Sequence, residues 1–197
     1  MSNAIALEDL GRIKVIRFNR PEIRSPLSAF VVEELRGLMD AIESDAAVEA
    51  VIFTGQADVF ASGADIREIA RLNGVTAPEF ARLGQDLMKK IEASGKTTVA
   101  AINGFCFGGA LDLALSCKKR IASPGATFCH PGANLGIMTG WSGTQRLPRL
   151  IGEARALEMF LTAGRVAADE ALNIGLIDEI AGDPLKKAIE LAGFAQK

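Results

Sequence analysis

The chain has no tyrosine and one histidine, His130. No phenol is therefore available as an acid, and any Ser-His-Asp or Cys-His arrangement has to run through His130. Cysteine is nearly as scarce. Cys106, Cys117 and Cys129 are an odd number at unrelated spacings. With a single histidine they supply neither a disulfide framework nor a zinc site, so a reducing, cytoplasmic compartment and no metal are expected. No signal peptide is expected, and no apolar run is long enough to span a bilayer, so no membrane partner is expected. A basic block is missing too. Lys and Arg number 22 against 24 Asp and Glu, a net charge of −2, and a nucleic-acid partner would need a clustered basic face. Acid–base work thus falls mainly to carboxylates, or else to backbone amides that composition does not reveal.

What is present is an ordinary globular chain of 197 residues, 49% hydrophobic and 23% charged. A chain of that size buries roughly 70% of its unfolded surface and needs no staple. Ile5 and Leu7, then Gly11, then Ile13, Val15 and Phe18 read as a hairpin ended by Pro21. Ser28 is the expected N-cap of an amphipathic helix over residues 30–42. Ala50–Thr54, Thr97–Ile102, Lys119–Ala122 and Thr127–Cys129 read as strands. Helices are expected over residues 66–70, 78–91, 110–116, 144–150, 154–161 and 168–174. A strand over residues 176–180 follows, and Asp183 caps a last helix, Pro184–Phe194. Strands alternating with helices and no linker predict a single α/β domain over residues 1–197.

Two strand-to-helix loops are rich in small residues: Phe60-Ala61-Ser62-Gly63-Ala64-Asp65-Ile66 and Asn103-Gly104-Phe105-Cys106-Phe107-Gly108-Gly109-Ala110. Small residues let a ligand oxygen approach the backbone, and the free amides of a helix N-terminus point at it. One N–H from each loop would make an oxyanion hole. Equally, both are tight turns that pack a helix on a sheet.

Ala61-Ser62-Gly63-Ala64-Asp65-Ile66-Arg67-Glu68 resembles the first oxyanion loop of the enoyl-CoA hydratase/isomerase (crotonase) family, and the segment from Ala100 to Ala110 its second. Phe128-Cys129-His130-Pro131, Asn134-Leu135-Gly136-Ile137, Gly143-Thr144-Gln145-Arg146-Leu147-Pro148 and Leu161-Thr162-Ala163-Gly164 continue the resemblance in order. So does Asn19-Arg20-Pro21-Glu22 near the start. The resemblance implies a crotonase-like spiral of ββα units that binds an acyl-CoA thioester. CoA would be part of the substrate, with no separate cofactor. The resemblance implies a homotrimer or a dimer of trimers. It puts the two carbonyl-polarising amides on Ala64 and Gly109, and the CoA moiety along Arg24, Pro26, Leu27, Ser62, Asp65 and Ile66. Gly108, Pro131, Gly132 and Gly140 would surround the acyl group; His130 either faces the site or packs elsewhere, and Trp141 either lines the acyl pocket or caps the core.

Two departures qualify the resemblance. Family hydratases carry two glutamates across the double bond. The first position falls on Asp112, one methylene shorter, and the second on Gly132, which offers no side chain. Family members also run on for about 60 residues of helix that would follow Lys197 here. Three functions stay open at this point: a hydratase using Asp112 and a bound water; a single-base isomerase, decarboxylase or thioester hydrolase; or a catalytically degenerate CoA-binding or assembly protein.

Overall fold

Continuous apolar runs become buried parallel strands, and amphipathic runs become the helices around them. In the computed structural model, which describes residues 4–194, β1 (Ile5–Leu10) and β2 (Ile13–Phe18) form the expected antiparallel hairpin, with Ile5 opposite Phe18. Short β3 (Pro26–Leu27) and α1 (Ala29–Ser44) follow. The Ser28 hydroxyl accepts a hydrogen bond from the Val31 amide, so the expected cap is made.

Three successive turns then repeat one pattern. β4 (Ala50–Thr54) leads to β5 (Val59–Ala61), β7 (Thr97–Ile102) to β8 (Phe105–Phe107), and β9 (Lys119–Ala122) to β10 (Thr127–Cys129). The first strands of the pairs run parallel to one another in one sheet and the second strands do so in another. Helices close each turn. β6 (Gly63–Ala64), α2 (Ile66–Ile69) and α3 (Thr76–Ala93) follow the first pair; α4 (Gly109–Ser116) follows the second; α5 (Gly143–Ile151) and α6 (Glu153–Thr162) follow the third. β11 (Val166–Ala167), α7 (Ala168–Asn173), β12 (Glu179–Ile180) and α8 (Pro184–Phe194) complete the described chain. The large sheet runs β1-β2-β4-β7-β9-β12, the smaller β11-β10-β8-β5, and β3 pairs with β6. This is the ββα spiral expected from the resemblance.

Both faces of the large sheet are covered, so β4 has no polar side to alternate with and all five of its residues are buried. Val51 and Phe53 join the main core, whereas Val15, Ile52, Val99 and Ile121 pack with Ala188 of α8 on the other face. α4 is buried at all eight positions, as a helix without a polar stripe must be.

Several boundaries differ from the sequence reading. β8 lies inside what reads as a continuous loop over residues 103–110, because three residues carry too little periodicity to register. Residues 176–180 yield only the two-residue β12, and β11 has no sequence signal of its own; both short strands exist through their partners, β9 and β10. Pro131–Leu135 forms a 3-10 turn.

Candidate active site

The close packing of two chain segments builds the amide pair. Gly63 has φ +85°, a conformation that glycine adopts without strain. A Cβ there would lie 2.5 Å from the nitrogen of Gly109, so only glycine lets the two segments meet. Gly109 opens α4, and the N–H of a first helical residue has no carbonyl within its own helix to receive it. A Cβ on Gly109 would in turn lie 3.3 Å from the Ala64 nitrogen. The amides of Ala64 and Gly109 are therefore neighbours, brought from separate strand pairs to the wall of one cavity of about 390 Å3.

Trp141 holds this arrangement from behind. Its ring is 2% exposed and fills the space above two glycines: a Cβ on Gly109 would reach it at 2.4 Å and one on Gly84 of α3 at 2.2 Å. The indole N–H donates to the Phe80 carbonyl at 3.3 Å, and the two rings lie 5.5 Å apart. Trp141 lines the cavity and belongs to the core at the same time.

Asp112, in the first turn of α4, is fully buried at the cavity wall. Burial pushes its carboxyl up to about 7, against opposing influences. The Thr139 hydroxyl donates to Oδ2 at 2.5 Å, Arg146 exerts an attractive field, and the amides of Trp141 and Gly143 face the carboxyl. Gly143 is the first residue of α5, so a helix N-terminus is aimed at the group. A side chain there would strike Oδ1 at 2.0 Å. Oδ1 nevertheless makes no well-formed hydrogen bond, and desolvation prevails.

Facing Oδ1 at 3.7 Å is Nε2 of His130. The imidazole is 2% exposed, lies 5.1 Å from the Phe160 ring, and has no hydrogen-bond partner on either nitrogen. Desolvation lowers it to about 4, so near neutral pH it is an uncharged base.

Of the residues anticipated from sequence, the cavity brings together Ser62, Ala64, Ile66, Gly108, Gly109, Asp112, His130, Pro131, Gly132, Gly140 and Trp141. It leaves out Arg24, Pro26, Leu27 and Asp65. Leu27 is fully buried, and β3 instead sets the register of β6, Pro26 opposite Gly63 and Leu27 opposite Ala64. The Asp65 carboxylate caps α2 through the Arg67 amide and pairs with the Arg67 side chain, which holds it below the usual carboxylate range. Arg24 is exposed, its guanidinium 5.1 Å above the Phe105 ring.

Sequence reasoning missed Thr139, Gly84 and the apolar wall of Ile69, Leu72, Phe80, Ile137 and Met138. Thr139 sits in a glycine-flanked loop where nothing local marks its hydroxyl. Gly84 is one small residue inside a helical pattern. Among the described residues, no group of three or more His, Cys, Asp or Glu is placed to hold a metal ion.

Comparison with known proteins agrees with this geometry. The family model for enoyl-CoA hydratase/isomerase matches residues 8–192. A short-chain-enoyl-CoA hydratase from Clostridium acetobutylicum is 40% identical over 179 residues, covering 90% of this chain and 69% of its own. A crotonyl-CoA hydratase from Syntrophomonas wolfei is 41% identical, covering 89% and 68%. Among solved structures, an enoyl-CoA hydratase from Bacillus anthracis superposes with a TM-score of 0.91 at 34% identity, over 96% of this chain and 75% of that one.

Proposed function

Because this chain belongs to the enoyl-CoA hydratase/isomerase family, we propose that it adds water across the α,β double bond of a short enoyl-CoA, with Asp112, the one carboxyl among the described residues that line the cavity, serving the reacting carbons. It is an enzyme of the hydratase/isomerase type. The observation that carries the reading is the meeting of the Ala64 and Gly109 amides in the cavity that also holds Asp112.

A thioester oxygen between those amides gains negative charge as the enolate forms. Donors already fixed in place then stabilise the transition state more than the ground state, an effect worth about 2.7–4 kcal/mol per donor in acyl-transfer enzymes. Asp112, titrating near neutrality, is suited to exchange a proton with Cα in either direction. The apolar wall of Ile69, Leu72 and Phe80 suits a short acyl chain, and Arg24 with the backbone of residues 26–27 and 62–66 suits the CoA portion. CoA enters as part of the substrate and no further cofactor is invoked.

The bare Gly132 favours one second reading, an isomerase in which Asp112 alone carries a proton from one end of an allylic system to the other. A homotrimer or dimer of trimers in the cytoplasm completes the proposal. Leu157 and Leu161, exposed on α6, supply apolar surface for such contacts, and the three cysteines are free and buried. A crotonyl-CoA hydration assay is the test. Activity should fall about 10²–10⁴-fold in Asp112→Asn, while acetyl-CoA affinity stays within a few-fold. Tight CoA binding with no hydration would shift the reading to the isomerase, and absence of CoA-thioester binding would remove it.

A further inference from the structure

We infer that His130 is the second proton-handling residue of this site, taking the proton of the attacking water while Asp112 serves Cα. The inference rests on the acyl-CoA reading above and adds to it the group that Gly132 does not provide.

The geometry singles out His130 among the buried polar groups. Its ring is 2% exposed yet lines the cavity, and both nitrogens lack a partner. A buried imidazole without a hydrogen bond costs stability, and structural histidines are ordinarily satisfied. Asp112 has the matching vacancy. Thr139 engages Oδ2, whereas Oδ1, which has no well-formed hydrogen bond although the Trp141 and Gly143 amides face the carboxyl, lies 3.7 Å from His130 Nε2. That separation exceeds hydrogen-bond range by less than 1 Å, so a small side-chain shift closes it. Gly132 does not supply the second group, because a Cβ there would lie 2.5 Å from the Ile137 carbonyl oxygen.

Burial raises the carboxyl to near neutrality and lowers the imidazole, so the uncharged pair, carboxyl protonated and imidazole neutral, is a populated starting state of the resting site. As water attacks, its oxygen bonds to Cβ, one of its O–H bonds breaks, and the proton passes to Nε2. The π electrons of the double bond move onto the thioester oxygen, giving the enolate. The carbonyl re-forms as Cα takes the proton of Asp112. Imidazolium and carboxylate are then left 3.7 Å apart, and proton transfer from His130 to Asp112 restores the starting state with one water added. Ionisation of Asp112 favours the imidazolium, so each charge forms where its counter-charge appears.

Two reactions separate the roles. Hydration of crotonyl-CoA needs both groups, whereas exchange of the α-protons of butyryl-CoA with deuterated solvent needs only the base at Cα. Asp112→Asn should lose both. His130→Gln should lose hydration by about 10²–10⁴-fold and keep α-exchange within a few-fold of the parent. His130→Ala, which leaves a ring-sized space, should regain hydration with added imidazole. Equal loss of both reactions in His130→Gln with an unchanged melting temperature would make His130 a positioning residue and overturn the proposal, as would undiminished hydration. If His130→Gln melts early, the imidazole response of His130→Ala decides, and no rescue overturns the proposal. A parent that catalyses neither reaction overturns the acyl-CoA reading itself, a distinct result.

Discussion

Replacing Asp112 by Asn removes one of two buried groups whose effects on stability run in opposite directions with pH. Asp112 titrates at about 7 in the fold against an ordinary value of 3.8. Across that interval the native state holds more protons than the unfolded chain, so stability falls as pH rises. His130 titrates at about 4 against 6.5, so between those values the unfolded chain holds more protons and stability rises with pH. Each slope is roughly tenfold in the unfolding constant per pH unit, and between pH 4 and 6.5 the two cancel in the parent. Asp112→Asn leaves the histidine slope alone. Its stability relative to the parent should rise by about 3 kcal/mol over that range, while His130→Gln should fall by about as much. Carboxylates held low elsewhere, such as Asp9, Glu43 and Asp65, titrate alike in all three proteins and drop out of the difference. Urea unfolding followed by circular dichroism at fixed ionic strength reads both slopes, with the denaturant dependence serving as a check on two-state behaviour. Parallel curves for the parent and Asp112→Asn would refute the assignment of opposed buried titrations.

Three further outcomes follow from the contacts. Gly132→Glu should lower stability by about 1–3 kcal/mol in thermal melts without raising crotonyl-CoA hydration, because its Cβ meets backbone 2.5 Å away; a gain in activity would show that the 137–138 loop yields. Thr139→Val removes the donor to Oδ2 and should move the alkaline limb of the pH–rate profile upward by about one unit, the equivalent of one charge-assisted hydrogen bond; an unmoved limb would mean that Asp112 does not set it. Gly84→Ala puts a methyl 2.2 Å from the Trp141 ring and should cost about 1–3 kcal/mol, with a fall in hydration rate; wild-type kinetics would mean that the ring can shift without moving Gly109.

The strands of the large sheet were legible because burial on both faces leaves an uninterrupted apolar run. Ala50–Thr54 and Thr97–Ile102 occur as read. The loops that bring the Ala64 and Gly109 amides together were legible as two glycine-bearing strand ends, which read equally as tight turns, and Asp112 was singled out by the family resemblance, three residues after Gly109. Tertiary packing carries the rest. No local pattern announces that Gly84 clears room for a tryptophan 57 positions on, or that the Thr139 hydroxyl meets a carboxylate. Short strands such as β8 and β11 are specified by their neighbours in the sheet. His130 stood out in the sequence as the single histidine, but its two empty nitrogens are a property of the packed site.

The indole wedged between Gly84 and Gly109 has a consequence for how this site responds to its surroundings. Contact repulsion between a ring and two backbones carries no charge and binds no proton, so neither salt nor acidity weakens it. The donors proposed to receive the thioester oxygen are thus set by excluded volume, while the groups proposed to move protons are set by solvation and titrate. In the proposed mechanism recognition and chemistry are governed by different forces: alkalinisation that strips Asp112 of its proton, or acidification that charges His130, leaves the carbonyl cradle in place.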